Sequence, residues 1–295
     1  MKSRPMFERI LAGVDGTPRS EEAVRQAARL ASVTGATLEI VHVLRPVGAT
    51  RVGTGLTRLD AAEAMLLEAA KLAVKEGVDA DLRVLVGEPS ALLAAEAAQH
   101  WCDLVCVGPD AGFFEKPHLL GGVTAHLVHG GVKPVLVARP VPERPSRRFP
   151  SRILVAVDSS EGSGEAVRLA ATIAAAAGSD LRILHVVPVL RGRSVGWTVD
   201  GDREGFEPLE PSVELARSLG VVAAREMAMG RPGPSIVSVA DEWDADLIAV
   251  GDRGLGGVGR MALGSVSDYV TRHAGRSVLV ARRRTPSHQA HRPQA

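Results

Sequence analysis

The stretch GDRGLGGVGRMALGS, residues 251–265, holds six glycines in fifteen positions. A backbone with so little Cβ bulk can bring several N–H groups up to a phosphate. The GSVSDYVTRHA run that follows starts a helix at Ser265, where free N–H groups and partial positive charge favour an anion. Ser265 adds a hydroxyl, and Arg253 adds charge for a triphosphate. The loop lacks G-x-x-x-x-G-K-[ST], has no lysine nearby, and does not match a G-x-G-x-x-G at a first strand. Two plainer roles stay open: Ser265-x-x-Asp268 fits a helix-capping pattern, and glycines suit a mobile surface loop.

The elements that must position this loop occur twice. ILAGVD (10–15) matches ILVAVD (153–158), LEIVHV (38–43) matches LRILHV (181–186), DLVCVG (103–108) matches DLIAVG (246–251), and VLVAR (135–139) recurs at 278–282, each offset by 143 residues. The first copy alternates short apolar runs (about 9–14, 37–43, 81–86, 103–107, 134–138) with alanine-rich helical segments (about 18–33, 58–76, 88–100, 120–130). Near-continuous apolar strands alternating with helices predict an α/β fold, two tandem doubly wound five-stranded, mainly parallel sheets. Thr17-Pro18 reads as an N-cap with proline at the first helical position. In the second copy, 191–211 carries glycines and prolines where the first starts a helix, so that helix is expected near Pro211. The expected organisation is residues 1–140 as a first domain, 141–152 a Pro/Arg-rich linker, 153–284 a second domain, and 285–295 a disordered tail. In such sheets, ligands sit at the carboxyl ends of strands, at the topological switch point. Gly251 falls at such an end.

The first copy carries an altered loop, GPDAGFFEKPHLLGGVTAH. Gly108 and Gly121 survive, but Ala111 stands for Gly254, Gly122 for Ser265, and Phe113, Phe114 and Lys116 for Gly256, Gly257 and Gly259. Glu115 facing the site would repel phosphate, while Thr124 is placed to replace the lost hydroxyl.

The spacing Gly251-x2-Gly254-x9-Gly264-Ser265 resembles the G-2x-G-9x-G-[ST] signature of ATP-binding universal stress proteins, and the likeness extends over both copies through Asp15 and Asp158, the HV pairs at 42–43 and 185–186, and the VLVAR strands. The resemblance implies that Asp158 lies beside a nucleoside and that Val186 contacts adenine through its backbone. It also implies that Gly251 and Gly254 line ribose and phosphates, and that Gly264 and Ser265, with Val266 and Ser267 in the same turn, hold the phosphates. For the first copy the corresponding, weaker set is Asp15, Val43, Gly108, Gly121, Gly122 and Thr124. It further implies ATP as ligand, pairing of the two VLVAR edges as an intrachain pseudo-dimer, and scope for a homodimer. Plainer roles compete here also. Asp158 can simply order its turn, and His185 in an apolar strand reads as a satisfied core histidine.

The bulk composition narrows the class. A net charge of +1 gives no basic field for nucleic acid, and no apolar run approaches a membrane span. MKSRPMFERILAGVD has no uninterrupted apolar h-region, so a cytoplasmic protein is expected. Cys102 and Cys106 in C-x3-C spacing read as small buried residues rather than a metal or redox pair. The leading expectation is a nucleotide-dependent regulator of the stress response without substantial turnover. The alternative is a slow ATPase or nucleotide-using transferase, for which Asp252 is the residue placed to hold Mg2+.

Overall fold

The computed structural model describes residues 7–46, 55–99, 102–109, 120–131, 133–141, 149–188, 207–254 and 263–282. The expected tail, most of the linker, residues 189–206 with most of the glycine- and proline-bearing 191–211 stretch, and the loop segments 110–119 and 255–262 lie outside the described residues.

The first half runs β1 (Arg9–Val14), α1 (Pro18–Thr34), β2 (Thr37–Leu44), α2 (Gly55–Lys75), β3 (Ala80–Val86), α3 (Pro89–Gln99), β4 (Leu104–Val107), α4 (Gly122–Gly130) and β5 (Val135–Val137). The second runs β6 (Arg152–Val157), α5 (Glu161–Ala177), β7 (Asp180–Pro188), a 3-10 turn (Glu207–Leu209), α6 (Glu210–Ser218), β8 (Ala223–Gly230), α7 (Pro232–Glu242), β9 (Leu247–Gly251), α8 (Ser265–His273) and β10 (Ser277–Ala281). The repeat is visible in local chemistry. Thr17 and Ser160 cap α1 and α5 by accepting the N–H of Ser20 (3.3 Å) and Ser163 (3.2 Å). Gly35 and Gly178 end those helices in the left-handed region, at φ 74° and 68°. Asp103 and Asp246 accept the backbone N–H of Glu8 (2.6 Å) and Ser151 (2.7 Å), fixing the entry to the first strand of each half.

The sheet order is β3-β2-β1-β4-β5-β10-β9-β6-β7-β8. Within each half every pairing is parallel; the halves meet through antiparallel β5 and β10, with Val137 opposite Val278 and Leu136 opposite Leu279. The two expected five-stranded sheets are therefore one continuous ten-stranded sheet, and the VLV strands that would be exposed edges cover one another. The central strands β4, β9 and β10 are buried along their whole length, which is why their sequences lack apolar–polar alternation. One apolar layer joins the sheet to α1, α2, α5 and α6; the other joins it to α3, α4, α7 and α8; both run across the join.

The arginine closing each VLVAR reaches into the opposite half. Arg139 donates to the carbonyls of Thr271 (2.5 Å) in α8 and Arg276 (3.2 Å), and Arg282 donates to that of Val128 in α4. Ser277 ties the centre, donating to Gln26 Oε1 at 2.8 Å and accepting the Arg139 N–H at 3.0 Å. Burial lowers the Arg139 guanidinium to about 10, and the nearby Arg19 charge pushes it the same way.

Candidate functional site

The chain reverses direction across the sheet between β6 and β9 in one half and between β1 and β4 in the other. At such points neighbouring crossovers leave on opposite faces and a crevice opens beyond the strand ends. In the second half, Asp158 follows β6, Gly251 ends β9, and α8 starts at Ser265.

Three consecutive carbonyls fix the glycine segment. Gly251 O accepts the Ser267 hydroxyl at 2.5 Å, Asp252 O accepts the Gly264 N–H at 2.7 Å, and Arg253 O accepts the Ser160 hydroxyl at 3.1 Å. Ser267, expected among the phosphate contacts, thus commits its hydroxyl proton to the backbone. Its N–H stays in the first turn of α8, where the intrahelical ladder begins only with Asp268 N–H to Gly264 O at 2.8 Å. Gly264 is the N-cap and no side chain caps the helix. The capping reading of Ser265 and Asp268 therefore fails: Ser265 is exposed at the first helical position. Asp268 instead pairs with Arg272 Nε (2.9 Å) and, across the join, with His129 Nε2 (3.1 Å).

The glycines earn their places individually. A Cβ on Gly251 would come within 2.5 Å of the Gly162 backbone, and one on Gly162 within 2.6 Å of Arg253 O, so strand end and helix start meet glycine to glycine. A Cβ on Gly254 would collide with Asp158 Oδ2. The other carboxylate oxygen of Asp158 accepts the Ser160 N–H at 3.1 Å, so Asp158 orders its turn with one oxygen and faces Gly254 with the other. Gly264 meets only ordinary contacts, at 3.4 Å and beyond.

Asp252 is 6% exposed, and its Oδ2 lies 3.5 Å from Arg253 Nη2 and 3.6 Å from Arg282 Nη1. Burial lowers the Arg282 pKa, and Asp252 opposes that shift. Two arginines thus compete with any divalent ion for Asp252 Oδ2. No group of three or more His, Cys, Asp or Glu side chains suited to a metal occurs among the described residues.

The two histidines end strand ladders. His185 Nδ1 lies 2.9 Å from Val157 O and His42 Nδ1 2.8 Å from Val14 O. As donors to these carbonyls, both are satisfied strand-end histidines. Val157–His185 and Val14–His42 are the last pairs of their ladders, which puts Val186 and Val43 one residue beyond, at the crevice.

The first half keeps much of this frame. Gly108 O accepts the Thr124 hydroxyl at 2.6 Å, and the Gly121 N–H reaches Pro109 O at 3.0 Å, matching the first two ties of the second half. Thr124 therefore occupies the place of Ser267, not that of Ser265. The third tie differs: the Thr17 hydroxyl donates to Asp15 Oδ1 at 2.7 Å. The crevice is a cavity of about 420 Å³ that gathers Asp15, Val43, Gly108, Gly121 and Thr124. Gly122 is the first residue of α4 and is not among its lining residues.

Sequence reasoning missed Gly162, Ser160 and the two crossing arginines. Gly162 was legible as a glycine at the start of a helix, and Arg139 and Arg282 as the fixed last letter of VLVAR.

The profile of the universal stress protein family matches residues 6–139 and 150–282, one match per half. The chain belongs to the universal stress protein family. A universal stress protein of Mycobacterium tuberculosis is 30% identical over 304 residues, covering 92% of this chain and 94% of the relative. One from Bacillus subtilis is 34% identical over 146 residues, covering 45% of this chain and 99% of its own, so it corresponds to a single half. The crystal structure of a universal stress protein from Archaeoglobus fulgidus superposes with a TM-score of 0.70 at 22% identity, covering 93% of this chain and 98% of that one, and shares the fold. In this universal stress protein no helix among the described residues is long and apolar enough to cross a membrane.

Proposed function

We propose that this protein is an ATP-binding regulator whose C-terminal half holds the nucleotide, and that it acts by binding rather than by sustained turnover. The observation that carries the reading is the pinned ribbon Gly251–Arg253. Its three carbonyls are taken by donors from α5 and α8, and the uncapped start of α8 stands next to it. A backbone fixed in this way needs little reorganisation to meet an anion. Gly254 is open only because it lacks a Cβ, and Asp158 Oδ2 beside it suits a ribose hydroxyl. Bound ATP would supply the anionic phosphates that Ser265, Val266 and Ser267 address with their N–H groups, with Arg253 adding charge. Magnesium would travel with the phosphates.

Binding without turnover is supported by the engagement of the nearby carboxylates: Asp158 by a backbone N–H, Asp252 by two arginines. Regulation requires that ATP bind two states of the protein unequally. Arg282 suits that role, because it touches Asp252 at the cradle and Val128 of the opposite half. We further propose a cytoplasmic location and an assembly in which the tandem halves take the place of a dimer.

Mass spectrometry of the purified, denatured protein tests the ligand. One adenine nucleotide per chain is expected; none, together with no heat on ATP titration, overturns the reading. Sustained phosphate release over many turnovers, lost in Asp252→Asn, would establish the slow ATPase instead.

A further inference from the structure

Helix α2 carries an apolar seam on its outer face that its counterpart in the second half lacks. Asp60, Ala64, Leu67, Lys71 and Val74 follow one another at spacings of 4, 3, 4 and 3 residues, which sets them on one line along the helix. All five are exposed. Leu67 keeps 57% and Val74 59% of its surface in water, while Leu66, Ala69 and Ala73 bury the opposite side in the core. At the positions 143 residues later stand Glu207, Glu210, Glu214 and Arg217, in place of Ala64, Leu67, Lys71 and Val74. These four are exposed as well. A helix in this place of the fold thus works with a fully charged outer face, and packing within the half does not require Leu67 and Val74.

The surroundings of α2 leave this face open. The helix packs on α1, β2 and β3, and β3 ends the sheet, so α2 is the outermost helix of its layer. An open groove of about 480 Å³ runs along it, lined by Ala64, Leu67, Glu68, Ala70, Lys71 and Val74. Charge along the face is graded: Asp60, Glu63 and Glu68 stand toward the start, Lys71 and Lys75 toward the end. Lys71 pairs with Glu68 at 2.6 Å, but both side chains are well exposed, and such a pair is easily exchanged for another. Two copies of this face laid in the same direction would set acid against acid. Laid in opposite directions they set acid against base. With a two-fold axis at the level of Ala69, Ala64 stands level with Val74 of the second copy, Glu63 with Lys75, and Leu67 with the apolar stem of Lys71.

From this pattern we infer that the outer face of α2 is the contact through which two copies of this chain pair, helix against helix and antiparallel. The β5 and β10 edges already cover one another within the chain, so whole chains pair through this other face, with or without nucleotide. The 21 residues of α2 span about 30 Å, which makes the contact a small and reversible one. The face of α6 on another copy is the competing occupant. It would set Glu207, Glu210 and Glu214 against Leu67 and Val74, and it would string copies into an open chain instead of a closed pair.

Sedimentation of the full chain over a concentration series tests the inference. The protein should pass from monomer to dimer and stop there. Leu67→Glu with Val74→Arg, which writes the residues of the second half into the first, should weaken the dimer about tenfold or more and leave Tm unchanged. A short thiol cross-linker reads the direction, with Cys102 and Cys106 silent because they are buried. A chain carrying Ala64→Cys should join one carrying Val74→Cys, and neither should join itself, since like positions lie about 15 Å apart along the axis. The inference is overturned if the wild type stays monomeric throughout or grows beyond a dimer. It is also overturned if the Leu67, Val74 variant dimerises as well as its parent, or if the mixed cysteine pair joins no better than either chain alone.

Discussion

Gly251 and Gly254 are glycines for different reasons, and the difference can be measured. Gly251 is a packing requirement, since a Cβ there meets the Gly162 backbone at 2.5 Å, and neither backbone can yield without moving α5. Gly251→Ala should lower stability by about 1–3 kcal/mol, the range for overpacking. Gly122→Ala, whose Cβ meets nothing within 4 Å at the start of α4, should be neutral or stabilise by about 0.5 kcal/mol. Urea titration of the two variants checks the contrast. The cysteines allow a second test. Burial pushes Cys102 up to about 11 and raises Cys106 well above the ordinary range too, against about 8.5 for a free thiol. A raised thiol contributes stability that is whole at neutral pH and drains away as pH climbs from about 8.5 towards 11, where the unfolded chain ionises first. The double variant Cys102→Ala, Cys106→Ala should therefore lose less stability between pH 8 and pH 10 than the wild type does. At this scale the sequence disclosed residue types and spacings but not directions. Asp158, His185 and Ser267 were all visible as polar groups near the site. Only the fold shows that one Asp158 oxygen faces Gly254, that His185 closes a ladder, and that the Ser267 hydroxyl points to a carbonyl.

The elements were the most legible level, because each half states its own start and stop signals. Thr17-Pro18 caps α1, the second helix of the later half begins at Glu210 beside the expected Pro211, and apolar runs without alternation became buried strands. What escaped is how one element holds another. Ser160 shows this best: it caps α5 and also grips Arg253 O, so a helix start clamps the glycine ribbon. Ser160→Ala should cost about 1 kcal/mol as a lost cap. It should also weaken ATP binding, because the ribbon loses one of its three ties. Ser163→Ala, which removes a hydroxyl donating to Ser160 O at 2.8 Å in the same turn but leaves the ribbon alone, should spare affinity. Thermal melts and ATP titration of the two variants separate cap from clamp. In the first half the equivalent hydroxyl, that of Thr17, turns to Asp15 instead, and the two ties seen among the described residues are those of Gly108 O and Pro109 O.

Across the whole molecule, the join decides behaviour. Leu136 and Leu279 pair at its centre, both almost wholly buried, and Arg139 and Arg282 cross it in opposite directions. A sheet and two apolar layers shared in this way should unfold as one cooperative unit. Leu279→Lys places a charge in the centre of the join and should lower the midpoint for both halves together, with circular dichroism and tryptophan fluorescence coincident; separate transitions would show independent halves. The 143-residue repeat announced two equal plans, and the VLVAR strands announced a pairing edge. The sequence could not announce that the crossing arginines would bring each half against the other's post-loop helix, since that contact exists only once the strands run antiparallel. The central claim is that equal plans carry unequal sites, and Gly264 and Gly121, at matching positions, put it to one direct test. Isothermal titration with ATP should show binding lost in Gly264→Asp and kept in Gly121→Asp, both folded with wild-type Tm. Loss in Gly121→Asp with retention in Gly264→Asp, or no difference between them, would contradict it.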